Sequence, residues 1–311
     1  MLLNIFFIAL GLFGLYLGGT MFVGASAALA RRLGMSPLMV GLTVVSIGTS
    51  LPELIVSLGA ALSGRSEIAL GNVIGSNIAN IGLILGLSGL IMPLTVHVSL
   101  LRRELPIMVG VTLLTLGLAL NGDISRFDGV LLLTGMVVFL AWTVYGAQRS
   151  KTKPDTPLDL PDEPQWRTLL RLVGGLGLLL IAAQLTVEGA TGAARAFGVS
   201  ELVIGITLVA VGTSLPELVT SITAALQRQS DIAVGNIVGS NIFNLLGILG
   251  ATSLASPIPV APQVLQIDGL VMLGFAVLLL PFLLNRKLGK LESLTFLGLY
   301  VGYNIYLFVG R

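Results

Sequence analysis

The chain contains no cysteine and a single histidine, His97. Disulfide frameworks and thiolate metal centres are therefore excluded, and so is any site built from several imidazoles. Charge is scarce as well. Asp, Glu, Lys and Arg make up 10% of the 311 residues, where a water-soluble domain carries about 25%. A deficit of this size means that most of the surface does not face water, and the mean hydropathy of +0.98 agrees. The pI of about 9.1 does not point to nucleic acid. The net charge is only +2, and the basic residues are scattered instead of forming a patch.

What the chain has in place of charge is long apolar runs, many of them near the roughly 20 residues needed to span a bilayer as helix. Ten segments are expected, at about 3–30, 37–62, 67–92, 104–121, 127–148, 168–195, 202–226, 231–254, 266–284 and 291–310. The first lacks a basic leader and a small-residue cleavage site, so Asn4–Ala30 reads as a spanning helix and not as a removed signal. The only long polar stretch, Arg149–Gln165, reads as a solvated linker. The expected fold is an all-α polytopic membrane protein, with five-helix units at 1–148 and 167–311 joined by a linker at 149–166. With the N-terminus outside, 13 of the 17 Lys and Arg fall on inside loops; only Arg65, Arg126, Arg195 and Arg311 fall outside. Positive charge is retained on the cytoplasmic side. Both termini are therefore expected outside and the linker in the cytoplasm.

A shift of 164 residues superposes the sequence on itself. Segments 41–93 and 205–257 are identical at 29 of 53 aligned positions, including GTSLPE on GTSLPE. A repeat of five spans is odd-numbered, so the two copies must enter the membrane in opposite directions. Inverted repeats around a midplane site, with interrupted helices supplying the ligands, are a common plan for secondary transporters.

Two repeated motifs carry the chemistry. Gly48–Glu53 and Gly212–Glu217 both read GTSLPE. Pro52 and Pro216 cannot donate to the carbonyls of Gly48 and Gly212, which are expected to be left free. Each motif thus offers a carboxylate, two hydroxyls and loosened carbonyls, a ligand set for a hard cation. Glu53 and Glu217 weigh most, because a carboxylate at mid-membrane depth is costly unless it has a function. The second motif, GNxxGSNxxN, spans Gly71–Asn80 and Gly235–Asn244. Its Gly and Asn residues predict distorted helices. Ser76 with Asn80, and Ser240 with Asn244, share a face at i, i+4. A polar packing seam would look the same one residue at a time; repetition opposite GTSLPE favours a site. Gly71, Gly75, Gly235 and Gly239 are assigned to close packing. Glu188 has no acidic counterpart in the first half, where Gly24 stands, and His97 lies near a helix end.

At these motifs the sequence resembles the cation/calcium exchanger family, in particular prokaryotic sodium/calcium exchanger-like inner-membrane proteins, over essentially its whole length. The resemblance implies Ca2+ transport by antiport against Na+, with no cofactor and no obligate protein partner. It implies carboxylate ligands at Glu53 and Glu217, and hydroxyl or carbonyl ligands at Thr49, Ser50, Thr213 and Ser214. It also implies backbone carbonyls at Ser46 and Ala210, path residues Ser76 and Ser240, Asn80 near the centre, and first and sixth helices that slide as a gate. One departure stands out: sodium/calcium exchangers carry Asp at the position of Asn244. A proton-coupled calcium exchanger shares the fold and differs only in its coupling ion. A cation channel needs a continuous pore, usually around a symmetry axis between subunits. An intramembrane hydrolase needs a His or Lys beside its serine, and neither motif has one.

Overall fold

The structure, a computed structural model, describes residues 1–149, 164–199 and 210–309, and these are almost entirely helical. In chain order the helices are α1 (Leu2–Leu33), α2 (Pro37–Thr49), α3 (Leu51–Leu62), α4 (Ser66–Ile91), α5 (Leu100–Asn121) and α6 (Arg126–Arg149). After residues 150–163 come α7 (Gln165–Ala196), α8 (Ala210–Thr213), α9 (Leu215–Leu226), α10 (Ser230–Ala255), α11 (Val264–Phe282) and α12 (Lys290–Val309). Most of the expected linker therefore lies outside the described residues, while its ends, Arg149 and Gln165, are helical.

Among the described residues seven helices are long and apolar enough to cross a membrane. The pair α2 and α3, bent by 46°, makes an eighth if it is one span. Two of the ten expected segments are not in that set. The seventh begins at 202, outside the described residues, so only α8 and the 12-residue α9 represent it. The tenth is α12, whose hydropathy is lowered by Tyr300, Tyr303, Asn304 and Tyr306.

Two helices, α4 and α10, form the core. The apolar stretch of α10 is 94% buried, whereas those of α1 and α7 are 28% and 22% buried. Both inner helices widen into a π-helical turn where the second motif ends, at Asn80–Leu85 and Asn244–Ile248. The same distortion opens α5 at Leu100–Glu104 and α11 at Val264–Gly269. Such bulges occur frequently at functional sites.

Helices α1 and α7 have 32 residues each. At 1.5 Å per residue each is about 48 Å long, more than the ~30 Å hydrocarbon core, so each must tilt. They cross through glycines. A Cβ on Gly18 would lie 2.8 Å from Leu179 N, and one on Gly175 would lie 2.7 Å from Phe22 N. Exposed Leu3, Phe6, Phe13 and Tyr16 face outward from this layer.

Four two-residue strands tie the halves together. Leu94–Thr95 (β1) pairs with Lys287–Leu288 (β4), and Asp123–Ile124 (β2) pairs with Ile258–Pro259 (β3), both antiparallel. Adding 164 to β1 gives β3, and adding 164 to β2 gives β4. Each pair is thus the other with the halves exchanged.

The glycines of the second motif divide. Gly235 and Gly239 pack as expected, with a Cβ on either falling 2.7 or 2.6 Å from the carbonyl oxygens of Leu38 and Leu42 respectively. Close packing is not seen for Gly71 and Gly75, which meet nothing within 4 Å among the described residues. The residues matching Leu38 and Leu42 are 202 and 206, which are outside the described set.

The helix crossing generates a paired test. Gly175→Ala forces backbone apart, an overpacking cost of about 1–3 kcal/mol. Gly174→Ala meets nothing within 4 Å and gains helix propensity. The melting temperature in detergent should fall for the first and hold or rise for the second.

Candidate functional site

The α2–α3 bend falls at Ser50, whose backbone (φ −85°, ψ 9°) leaves the helix; its counterpart Ser214 has φ −91°, ψ 7°. Pro52 and Pro216 sit in the first turns of α3 and α9, where a missing N–H costs nothing. The break therefore lies two residues before each proline. Around it, the Ser50 N–H bonds the Ser46 carbonyl at 3.1 Å, and the Leu54 N–H bonds the Ser50 carbonyl at 3.1 Å. The expectation of a Gly48 carbonyl freed by Pro52 is corrected to this extent: the Ser50 N–H also turns toward that carbonyl.

Just after each bend stands a glutamate, and Glu53 and Glu217 are both 1% exposed. Each is held from the other half. The Ser214 hydroxyl donates to Glu53 Oε1 at 3.0 Å, and the Ser50 hydroxyl donates to Glu217 Oε1 at 2.9 Å. Since Ser214 precedes Glu217 by three residues, and Ser50 precedes Glu53 likewise, the exchange draws the two carboxylates together. The Ser50 and Ser240 hydroxyls lie 3.1 Å apart. The second oxygens, Glu53 Oε2 and Glu217 Oε2, are buried without a hydrogen-bond partner among the described residues. Neither carboxylate has a basic partner among the described residues.

The asparagines behave in the same way. Asn80 Nδ2 donates to Asn241 Oδ1 at 2.9 Å, and Asn244 Nδ2 donates to Asn77 Oδ1 at 3.0 Å. Their own amide oxygens, Asn80 Oδ1 and Asn244 Oδ1, are buried and unpartnered. The orientation is set one step back. Asn77 Nδ2 points to the Asn241 carbonyl and Met272 Sδ, and Asn241 Nδ2 points to the Asn77 carbonyl and Met108 Sδ. With their donors used there, Asn77 and Asn241 can only accept from the neighbouring asparagines. The free oxygens of Asn80 and Asn244 follow.

A second asparagine pair clamps the bends. Asn72 Nδ2 bonds Ser57 Oγ (2.9 Å) and the Glu53 carbonyl (3.3 Å), and Asn236 Nδ2 bonds Ser221 Oγ (3.0 Å) and the Glu217 carbonyl (3.4 Å). Thr49 Oγ1 lies 3.1 Å from Asn236 Oδ1. Sequence reasoning misses Asn72, Asn77, Asn236 and Asn241, although each recurs at the 164-residue shift. That recurrence is the signal that could have found them.

Of the remaining expected ligands, Ser46 is buried with its hydroxyl on the Leu42 carbonyl (2.8 Å), and Ser76 and Ser240 are buried. Thr213 closes α8 and Ala210 opens it; the side chain of Ala210 is outside the described residues. Glu188 lies elsewhere, exposed on α7 and bonded to Gln184 (3.0 Å). His97 is exposed beside Ser99. Among the described residues no group of three His, Cys, Asp or Glu comes together. The two carboxylates each receive one serine hydroxyl from the opposite half.

The family model described as sodium/calcium exchanger protein matches residues 3–145 and 168–309. The chain belongs to the sodium/calcium exchanger family. Inner membrane protein YrbG of Escherichia coli is 44% identical over 81% of the chain and 79% of its own length. Sodium/calcium exchanger MaX1 of Methanosarcina acetivorans is 33% identical over 98% of both. A solved structure of the sodium–calcium exchanger NCX_Mj superposes with a TM-score of 0.88 at 35% identity, covering 98% of this chain and 99% of that one. This membrane protein is therefore a transporter of the antiporter class and not an enzyme.

The asparagine relay carries its own test. On the expectation that Asn80 is a ligand, Asn241→Ala leaves it in place and lets its amide turn. Loss of a group that orients a metal ligand costs about 10- to 100-fold in affinity. The Ca2+ concentration needed to raise the melting temperature should increase accordingly, and Asn77→Ala should act alike through Asn244.

Proposed function

We propose that the protein exchanges Ca2+ for Na+ by alternating access, at a site centred on Glu53 and Glu217. One observation carries this reading: four buried acceptors, Glu53 Oε2, Glu217 Oε2, Asn80 Oδ1 and Asn244 Oδ1, have no donor among the described residues. An unpaired buried acceptor costs about 1–3 kcal/mol, more if charged. Acceptors left open on both repeated carboxylates and both repeated asparagines make sense if a cation supplies the missing interaction. Ca2+ takes 6–8 oxygens. The rest of its shell would come from hydroxyls and carbonyls of Thr49, Ser50, Thr213 and Ser214, and from the carbonyls of Ser46 and Ala210. Ser76 and Ser240 would line the path.

Charge sets the coupling. With Asn at both 80 and 244 the site holds a formal −2, which one Ca2+ or two monovalent cations neutralise. A third would leave +1 in a low-dielectric interior, which is unfavourable. Hydroxyl-rich surroundings suit Na+, and relatives named for sodium/calcium exchange support it. The same carboxylates could instead return with two protons, and imposed ion gradients separate the two.

The proposed topology has ten spans, as two inverted units at 1–148 and 167–311. In it α2 with α3, and the segment ending in α8 and α9, each count as one span. The strand pairs support it. Bringing β1 to β4 requires an even number of crossings between them, and six spans intervene; four intervene between β2 and β3. The 13-to-4 distribution of basic residues supports outside termini and a cytoplasmic linker at 149–166. The name of YrbG supports an inner-membrane location. Long glycine-faced α1 and α7 are suited to slide as the gate.

In proteoliposomes an imposed Na+ gradient should drive Ca2+ uptake, and a pH gradient alone should not. Uptake driven only by the pH gradient would move the protein to the proton-coupled class. Glu53→Gln or Glu217→Gln should abolish uptake with membrane insertion intact, and wild-type flux in either variant would remove the site. For topology, the cysteine-free chain permits single exposed cysteines. Asn285→Cys should react with an impermeant reagent only from the cytoplasm and Asn121→Cys only from outside; the reverse pattern would invert the orientation.

A further inference from the structure

Besides Asp128, which accepts from Ser125 at the start of α6, two buried carboxylates among the described residues take no part in the site just described. Glu104 closes the π-helical turn Leu100–Glu104, and Asp268 lies in the π-helical turn Val264–Gly269. They occupy the same place in the two halves, since 104 plus 164 is 268. Both are 6% exposed. Glu104 Oε2 is buried with no hydrogen-bond partner among the described residues. Asp268 Oδ1 accepts from the Tyr303 hydroxyl at 2.7 Å. Helix propensity asks for no acid at either position, and an interior acid is costly.

Asp268 lines a cavity of about 620 Å3. Ser76 and Ser214 line it too, and Ser214 is the residue whose hydroxyl holds Glu53. One space therefore joins Asp268 to the immediate surroundings of the ion site. The charged residues on its wall, among those described, are Glu67 and Asp268; no Lys, Arg or His is present. A cavity lined by one sign of charge concentrates ions of the other sign and speeds their arrival. Asn304 adds a neutral oxygen, its Nδ2 being tied to the Tyr300 carbonyl at 2.8 Å.

We propose that Asp268, oriented by Tyr303, is a recruiting station for the cation entering from the face on which this cavity opens. Glu104 is its counterpart for the path from the opposite face. This rests on the exchange reading above. A hydrated Ca2+ pauses at Asp268 through its water shell, then trades that shell for the oxygens around Ser214 and Glu53. The station governs how readily the ion loads and leaves the exchange ratio alone.

The test is the Ca2+ dependence of exchange, measured separately from each face in vesicles of defined orientation. Asp268→Asn should raise KM for Ca2+ from one face by about 3- to 10-fold, with maximal rate retained, an effect within the range of electrostatic steering. Glu104→Gln should do so from the other face only. Asp268→Glu, which keeps the charge, should restore the wild-type KM. Tyr303→Phe provides a milder second variant and should shift KM on the Asp268 face alone. Unchanged KM on both faces, an equal change on both, or no rescue by Asp268→Glu would overturn the station while wild type still exchanges Ca2+. A wild type that moves no Ca2+ would overturn the exchange reading and the station with it.

Discussion

Two carboxylates stand in the interior of a membrane protein with no basic residue among those described to neutralise them, and most of the architecture follows from that. Burying an ionised group costs several kcal/mol unless it is paired. An Arg or Lys beside Glu53 and Glu217 would satisfy the protein permanently and leave nothing for a transported ion to do. The structure supplies less than full compensation. Each carboxylate receives one serine hydroxyl and keeps its second oxygen open. A charge left partly unsatisfied in this way is what supports the proposed cation site.

Reciprocity between the halves is the means by which this is achieved. Ser214 serves Glu53 and Ser50 serves Glu217; Asn241 orients Asn80 and Asn77 orients Asn244; β1 pairs with β4 and β2 with β3. Each carboxylate is held by a serine of the other half, so in the proposed cycle movement of one half against the other changes both at once. That is the coupling an alternating-access device requires.

Much of this is legible in the residues alone. The GTSLPE pair singles out Glu53 and Glu217 because an acid at mid-membrane depth is too costly to be kept for packing. The repeat at 164 residues announces two matched halves. Gly and Asn in α4 and α10 imply distortion, and it takes the form of π-helical turns at Asn80 and Asn244. The proline does not mark the α2–α3 bend itself, because a proline is tolerated where a helix restarts and the chain bends two residues earlier, at Ser50. Asn77 and Asn241 escape sequence reasoning because an asparagine in a seam looks alike whether it orients a ligand or merely packs.

The residues alone establish that most of the surface meets lipid and that the chain repeats itself. Hydropathy, spacing and residue identity are local properties that need no knowledge of neighbours. Only the tertiary structure decided which serine meets which glutamate, which asparagine oxygens are left open, and that Asp268 shares a cavity with Ser214. Those are contacts between residues 35 to 167 positions apart. Their geometry depends on how bent helices cross, and no periodicity within a single segment encodes that.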